Sequence, residues 1–350
     1  MTDKTIPVGV VGFGLAGRAF HAPVIHTTPG LRLAGVVQRS GDAAREIYSE
    51  TRVVRSLDEL LAIDDIRLVV IATPNVTHYE MARRCLLAGR DVVIDKPFTT
   101  TSQEAADLFR IAGQQGRLIS AYHNSRSHGD FATVRQLLRS GALGRTVLCE
   151  IHYDRYRPKL RPGAWRERVE PGSGVFFDLG PHAIDQAMVL FGRPEAITAD
   201  IRIEREAAVV DDAFDVTMHY PSLRVALRGG MLAVAPRPRF LLHGTQGAYV
   251  KYGVDPQEEA LRRGEMPGGP DWGREPRQNW GTLYVSQEDG TVTQEAVPTE
   301  PGDYRRYYAN VREAMLGHAA LDVTPEQILD VMRALELAQQ SSAERRTVTV

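Results

Sequence analysis

The chain has 350 residues, 43% apolar and 25% charged, with a formal charge of −2. That length suits two domains of ordinary globular composition. The near-neutral charge gives no electrostatic case for nucleic acid, and no apolar run approaches the roughly 20 residues of a membrane span, so neither is an expected partner. The first residues lead through a short apolar run into glycines rather than into a secretory signal pattern. Cys85 and Cys149 lie far apart and have no further ligands at zinc spacing, so neither a disulfide framework nor a metal site is expected. The expected setting is cytoplasmic.

Residues 7–11 form an apolar strand that opens into Gly12-Phe13-Gly14-Leu15-Ala16-Gly17. This G-x-G-x-x-G pattern, between a strand and a helix, predicts a dinucleotide-phosphate loop. The second strand, 31–37, ends in Gln38-Arg39-Ser40 without the acid that holds a ribose 2′-hydroxyl in NAD-specific domains. Arg39 and Ser40 offer a charge and a hydroxyl to a 2′-phosphate, which favours NADP. Asp42 nearby leaves NAD open. A helix at 56–62 carries the Ser56/Glu59 capping-box signature. Strand 66–72 delivers Thr73-Pro74-Asn75 to the carboxyl edge of the sheet, where ligands bind. A helix at 77–88 stops at Gly89, and strand 91–94 delivers Asp95-Lys96-Pro97 to the same edge. Lys96 there either donates to a substrate oxygen beside a nicotinamide or pairs with Asp95. A helix at 102–115, boxed by Thr101 and Glu104, and a strand at 117–122 complete a βα repeat. The repeat predicts a doubly wound parallel sheet.

The second half opens with a helix at 130–140 and a strand at 145–153. Arg155, Tyr156 and Arg157 follow, either as groups for a polyhydroxylated ligand or as solvated charges. In 172–191, Gly180 suits an N-cap and Pro181 the first helical position, which puts His182 in the first turn with Asp178 just before it. The helix dipole would then keep His182 neutral and able to accept a hydroxyl proton. The same residues also read as a capped helix with a packed histidine. Strands at 196–203, 213–220, 223–227, 239–244 and 248–252 come without intervening helices, which predicts an open, mostly antiparallel sheet. Residues 262–276 read as a Pro/Gly-rich loop, and 302–316 as a helix containing Tyr304. Thr324 and Gln327 box a helix running to about 341, and 348–350 read as an edge strand.

Four ordered motifs resemble those of the Gfo/Idh/MocA oxidoreductases. They are the glycine loop, Ala72-Thr73-Pro74-Asn75 with Thr77-His78, Asp95-Lys96-Pro97, and Asp178-Leu179-Gly180-Pro181-His182-Ala183-Ile184-Asp185. The resemblance covers essentially the whole chain. It implies an α/β protein: a Rossmann domain at 1–123, then an α+β domain at 124–350 for substrate binding and oligomerisation, with a final helix that can pack back on the first. It implies a hydride-transferring dehydrogenase of a cyclic polyol or sugar in which Lys96, Asp178 and His182 form the catalytic group. His78, Pro97, Trp165 and Arg166 are implied near the cofactor, and His123 and Tyr304 near the substrate. It also implies a cis Lys96–Pro97 bond and a homodimer or homotetramer through the open sheet. Asp95 departs from the family's usual glutamate. A closer likeness is to the NADP-dependent scyllo-inositol 2-dehydrogenase branch, carried by residues 14–25, 121–124, 155–158, 250–267 and 271–273. The run Ser125-Arg126-Ser127-His128 departs from that branch, which bears on the substrate. The fold also occurs in ligand-sensing proteins and in oxidoreductases with tightly bound, recycled cofactor. Retention of Lys96, Asp178 and His182 speaks for catalysis.

Overall fold

A computed structural model describes residues 5–161 and 163–350. The chain divides into two compact units. One holds the residues up to Ser127 with Gln257–Trp272 and Asp303–Leu329; the other holds His128–Pro256, Gly273–Gly302 and Asp330–Val350.

In the first unit the strands are β1 (Ile6–Val11), β2 (Leu31–Val37), β3 (Arg52–Val54), β4 (Leu68–Ile71), β5 (Asp91–Ile94) and β6 (Ile119–Ala121). All pair in parallel in the order β3-β2-β1-β4-β5-β6. This is the doubly wound Rossmann order, with its switch point between β1 and β4. The strands read as apolar runs because helices cover both faces, and every residue of β4 and β5 is buried. The helices are α1 (Ala22–Thr27), α2 (Ala43–Ile47), α3 (Leu57–Leu61), α4 (His78–Leu87) and α5 (Ser102–Gln115). The expected capping box forms in full at Thr101, where Thr101 and Glu104 satisfy each other's backbone; at Ser56 the side chain accepts the Glu59 N–H, but the Glu59 carboxylate takes the Arg55 N–H instead of that of Ser56. The short elements β3 and α2 had no signal in the sequence. A helix also forms at Gln257–Arg262, just before the expected loop.

In the second unit α6 (Gly129–Ser140) precedes β7 (Thr146–Asp154) and α7 (Gly174–Phe191). The strands β8 (Ala196–Arg202), β9 (Ala213–His219), β10 (Arg224–Gly230), β11 (Phe240–Gly244), β12 (Gly247–Lys251), β13 (Gly281–Ser286), β14 (Val292–Val297) and β15 (Val348–Thr349) follow. With β7 they make a nine-stranded sheet ordered β14-β13-β12-β11-β7-β10-β9-β8-β15. Only β7 and β10 run parallel; the other pairs are antiparallel. The expected open, mostly antiparallel sheet is therefore present. β13 and β14 were not foreseen.

One expectation is corrected. α7 begins at Gly174, not at Pro181, so Pro181 lies inside the helix and His182 is its ninth residue. The dipole acts over the first turn, so it is not what governs His182. The reason for the earlier start is remote in sequence. The Ser173 side chain makes no cap bond, while the Asp211 carboxylate accepts the Phe176 N–H at 2.6 Å and the Asp211 carbonyl accepts that of Val175 at 2.9 Å. Pro181 removes one intrahelical bond, to the carbonyl of Phe177. Gly180 is required by packing: a Cβ there would lie 2.9 Å from the Phe176 ring.

Candidate functional site

The glycine loop at the end of β1 has the geometry of a pyrophosphate cradle. Gly12 has φ +97°, and a Cβ on it would lie 2.6 Å from the Ala72 carbonyl oxygen. A Cβ on Gly17 would lie 1.9 Å from the Gly12 carbonyl oxygen. Both positions therefore exclude side chains. A Cβ on Gly14 would meet nothing within 4 Å, which leaves backbone open to close approach. The residues fit a dinucleotide: two glycines close the turn and one leaves room for phosphate. Phe13 and Leu15 flank Gly14. Ala16 opens a π-helical turn, Ala16–His21, that runs into α1. Such turns occur at functional sites more than elsewhere.

After β2, Arg39 and Ser40 are exposed. Arg55, which the sequence did not single out, builds their loop. It donates to the carbonyls of Gln38 (3.0 Å) and Gly41 (2.6 Å) and to the Asp42 carboxylate (2.9 Å). Asp42, the residue that left NAD open, is thus engaged by a guanidinium.

At the ends of β4 and β5, Thr73 bonds Thr77 at 2.7 Å, and the Thr77 hydroxyl donates to the Pro74 carbonyl at 2.7 Å. Asn75 and His78 are buried. His78 places its ring nitrogens 2.9 Å from the Thr73 carbonyl and 3.0 Å from the Pro97 carbonyl. Burial pulls the His78 pKa down. With no exposed surface, His78 ties the two loops together. Lys96–Pro97 is cis. Asp95 accepts the Lys96 backbone N–H at 2.9 Å. Burial pushes the Asp95 carboxyl up, but His21, Lys96 and His78 outweigh it and hold the pKa below the ordinary value.

In the second unit, Asp178 and His182 are four residues apart within α7 and so share a face. Arg155 contacts one Asp178 oxygen at 3.3 Å and Arg166 the other at 3.2 Å. The Arg166 guanidinium lies 4.5 Å over the Trp165 ring. The ring centroids of His182 and Tyr153 are 5.9 Å apart. One turn beyond His182, buried Gln186 accepts from Tyr153 (3.2 Å) and from Arg239 (2.7 Å). Arg239 in turn lies 3.5 Å from buried Asp130 and 4.0 Å over the Tyr153 ring. The structure thus gathers Asp178, His182, Arg155, Trp165 and Arg166 in one unit, and the glycine loop, Thr73, Asp95 and Lys96 in the other. Tyr156 is exposed, whereas His123 and Tyr304 are buried. Tyr153, Gln186, Arg239 and Asp211 went unnoticed because each is an ordinary residue type until the fold sets it beside α7.

Asp211 has a consequence for stability. Burial, with Asp212 adding to it, pushes its carboxyl up to about 6, against the N–H groups it caps. A folded value above the unfolded one means that the stability contribution is present below about pH 4 and is lost as pH rises through about 6. The span from 3.8 to about 6 is worth at most about 3 kcal/mol. Asp211→Asn is therefore expected to flatten the fall in Tm between pH 4 and 7. An unchanged pH–Tm curve would refute this.

The fold and the glycine loop define a dinucleotide-binding protein. Residues 6–123 match the NAD-binding Rossmann domain of the Gfo/Idh/MocA oxidoreductases, and residues 135–350 match that family's C-terminal alpha/beta domain. The chain belongs to this family and is an enzyme of the dehydrogenase type. It is 41% identical to the uncharacterized oxidoreductase YdgJ of Escherichia coli, covering 99% of each chain. It is 37% identical to the scyllo-inositol 2-dehydrogenase (NADP(+)) IolW of Bacillus subtilis, covering 98% of this chain and 96% of that one. The structure of the putative oxidoreductase yvaA from Bacillus subtilis superposes with a TM-score of 0.96 at 36% identity, over 100% of this chain and 99% of that one. Among the described residues, no helix is long and apolar enough to cross a membrane.

Proposed function

We propose that the protein transfers a hydride between NADP and a CH–OH carbon of a cyclic polyol or sugar, with an inositol as first candidate. The observation that carries this reading is the near full-length likeness to an NADP-dependent scyllo-inositol dehydrogenase, together with the Asp178–His182 face of α7. Bound nicotinamide supplies the hydride acceptor. In the oxidative direction His182 takes the hydroxyl proton. The Lys96 ammonium stabilises the alkoxide that develops as the proton leaves. Asp178, held between Arg155 and Arg166, orients His182 or a neighbouring substrate hydroxyl. Arg39 and Ser40 take the 2′-phosphate. The Arg55 grip on Asp42 supports NADP over NAD, because it neutralises the one acid in that loop. The open face of the nine-stranded sheet serves as a homodimer or homotetramer interface, and the enzyme works in the cytoplasm.

The test is the initial rate of NADPH formation with scyllo-inositol, myo-inositol and a sugar panel, run in parallel with NAD. We expect turnover of a cyclic polyol with NADP preferred. Arg39→Ala should lower that preference at least about tenfold, since a charge-assisted phosphate contact contributes about 1.5–3 kcal/mol, and adding Arg55→Ala should lower it further by releasing the Asp42 carboxylate. Tight NADPH binding without turnover on any member of the panel would instead support a sensing role.

A further inference from the structure

His21 closes the π-helical turn after the glycine loop and has no exposed surface. Its Nδ1 lies 2.6 Å from the Tyr308 hydroxyl, on the helix Arg305–Met315. Its Nε2 lies 3.7 Å from an Asp95 oxygen, too long for a hydrogen bond, and has no other hydrogen-bond partner among the described residues. That same Asp95 oxygen accepts the backbone N–H of Lys96. The His21 ring also packs on Tyr122, just beyond β6, with centroids 4.3 Å apart. A single imidazole therefore touches the turn after the glycine loop, the end of β5 that carries Lys96, the end of β6 and a helix from far along the chain.

Hydrogen accounting selects between the two neutral tautomers. The Tyr308 hydroxyl has one hydrogen, and it needs an acceptor because the group is wholly buried. If Nδ1 carried the imidazole proton, that hydroxyl hydrogen would lose its acceptor, and the Nε2 lone pair would face a carboxylate. If Nε2 carries the proton, Nδ1 accepts from Tyr308 and N–H points at Asp95. Lys96 and His78 also act on Asp95, and the hydroxyls of Tyr122, Tyr307 and Tyr308 feel its charge.

We propose that Tyr308, His21 and Asp95 form a buried relay that positions Lys96, with His21 in the Nε2–H tautomer. Its kinetic arm rests on the hydride-transfer reading above. The relay acts on Lys96 through its backbone amide, so His21 is a positioning residue, and its loss is read in kcat.

The relay predicts a graded response. His21→Leu removes both contacts and should lower kcat about tenfold, because small misplacements of a reacting group are costly. It should leave the Kd for NADPH, followed by fluorescence, within about twofold. Gln can accept from Tyr308 and aim an N–H at Asp95 as the imidazole does, so His21→Gln should recover most of the lost kcat. Circular dichroism confirms folding of each variant. Long-range ¹H–¹⁵N correlation spectra of histidine-labelled protein, with His21→Gln as the assignment control, should show an Nε2–H imidazole. This arm needs no turnover, so it separates failure of the relay from failure of the dehydrogenase reading. An Nδ1–H tautomer, an undiminished kcat in His21→Leu, a parallel loss of NADPH affinity, or no recovery in His21→Gln would each overturn the proposal.

Discussion

Replacing His182 with alanine is expected to lower kcat by about 10²- to 10⁴-fold while leaving NADPH affinity within about twofold of wild type. A carbinol proton does not leave unaided near pH 7, and on the proposed mechanism His182 is the group that receives it. The effect belongs in kcat because proton transfer strengthens only as the transition state forms. Lys96→Ala should produce a loss of similar size for a different reason: the alkoxide loses its cation. The two residues would act on one event, so the double variant should be little worse than the poorer single one. His182→Ala should also remove the acid limb of the pH–rate profile, since the base that must be unprotonated is gone. Single-turnover NADPH formation on a polyol that the wild type oxidises measures this directly. Undiminished turnover in His182→Ala would remove the residue from the mechanism. Asp178→Asn offers a sharper test of roles. It keeps size but only one acceptor oxygen, and leaves Arg155 and Arg166, at 3.3 and 3.2 Å, without their shared anion. If orientation is the task of Asp178, KM should rise together with the fall in kcat.

The Rossmann half was legible in the sequence because its signals are local. Glycines with steric reasons, buried apolar runs, the Ser56 cap and the reciprocal box at Thr101 all lie within a few residues of the feature they specify. The second half hides where the cause is remote. The true start of α7 depends on Asp211, 35 or more residues downstream of the backbone groups it caps. Pro181 and Gly180 imitate a helix start so well that the local rule gives the wrong boundary. Both face the packed side of a helix already under way, where Gly180 makes room for Phe176. The correction makes the pairing of Asp178 and His182 firmer: inside one helix, four residues apart, they share a face whatever the loop before them does. β14 was missed because an edge strand exposed along nearly its whole length has no buried face, and without one there is no alternation to read. Arg55 was missed for a related reason. An arginine in a two-residue gap between short elements looks like a solvated charge until its three acceptors are seen.

Removing the Lys251 ammonium is expected to cost the second unit about 3–5 kcal/mol near neutral pH, the usual penalty for leaving a buried charge unpaired. Lys251, the last residue of β12, is fully buried, the Glu275 side chain is 2% exposed, and the two lie 3.0 Å apart. Lys251 also donates to the Tyr252 carbonyl at 2.6 Å. Burial pushes the Glu275 carboxyl up, Lys251 pulls it back, and nearby Asp130 adds to the rise, so the pKa stays above its ordinary value. A folded value above the unfolded one means that the stability tied to this group is present below about pH 4.5 and is lost as pH rises through the folded value. In Lys251→Met the opposing cation is gone, the folded value climbs further, and more of the neutral range falls on the unfavourable side. The variant should therefore lose about 6–20 °C in Tm at pH 7.5 and distinctly less at pH 5, where Glu275 can take up a proton. Lys251→Met with Glu275→Leu should recover most of the loss or exceed wild type, because two apolar side chains of similar volume need no desolvation of charge. Thermal unfolding of the three variants at the two pH values forms the experiment. A loss independent of pH, or a double variant no better than Lys251→Met, would show that Lys251 acts through packing and its bond to the Tyr252 carbonyl rather than through its charge.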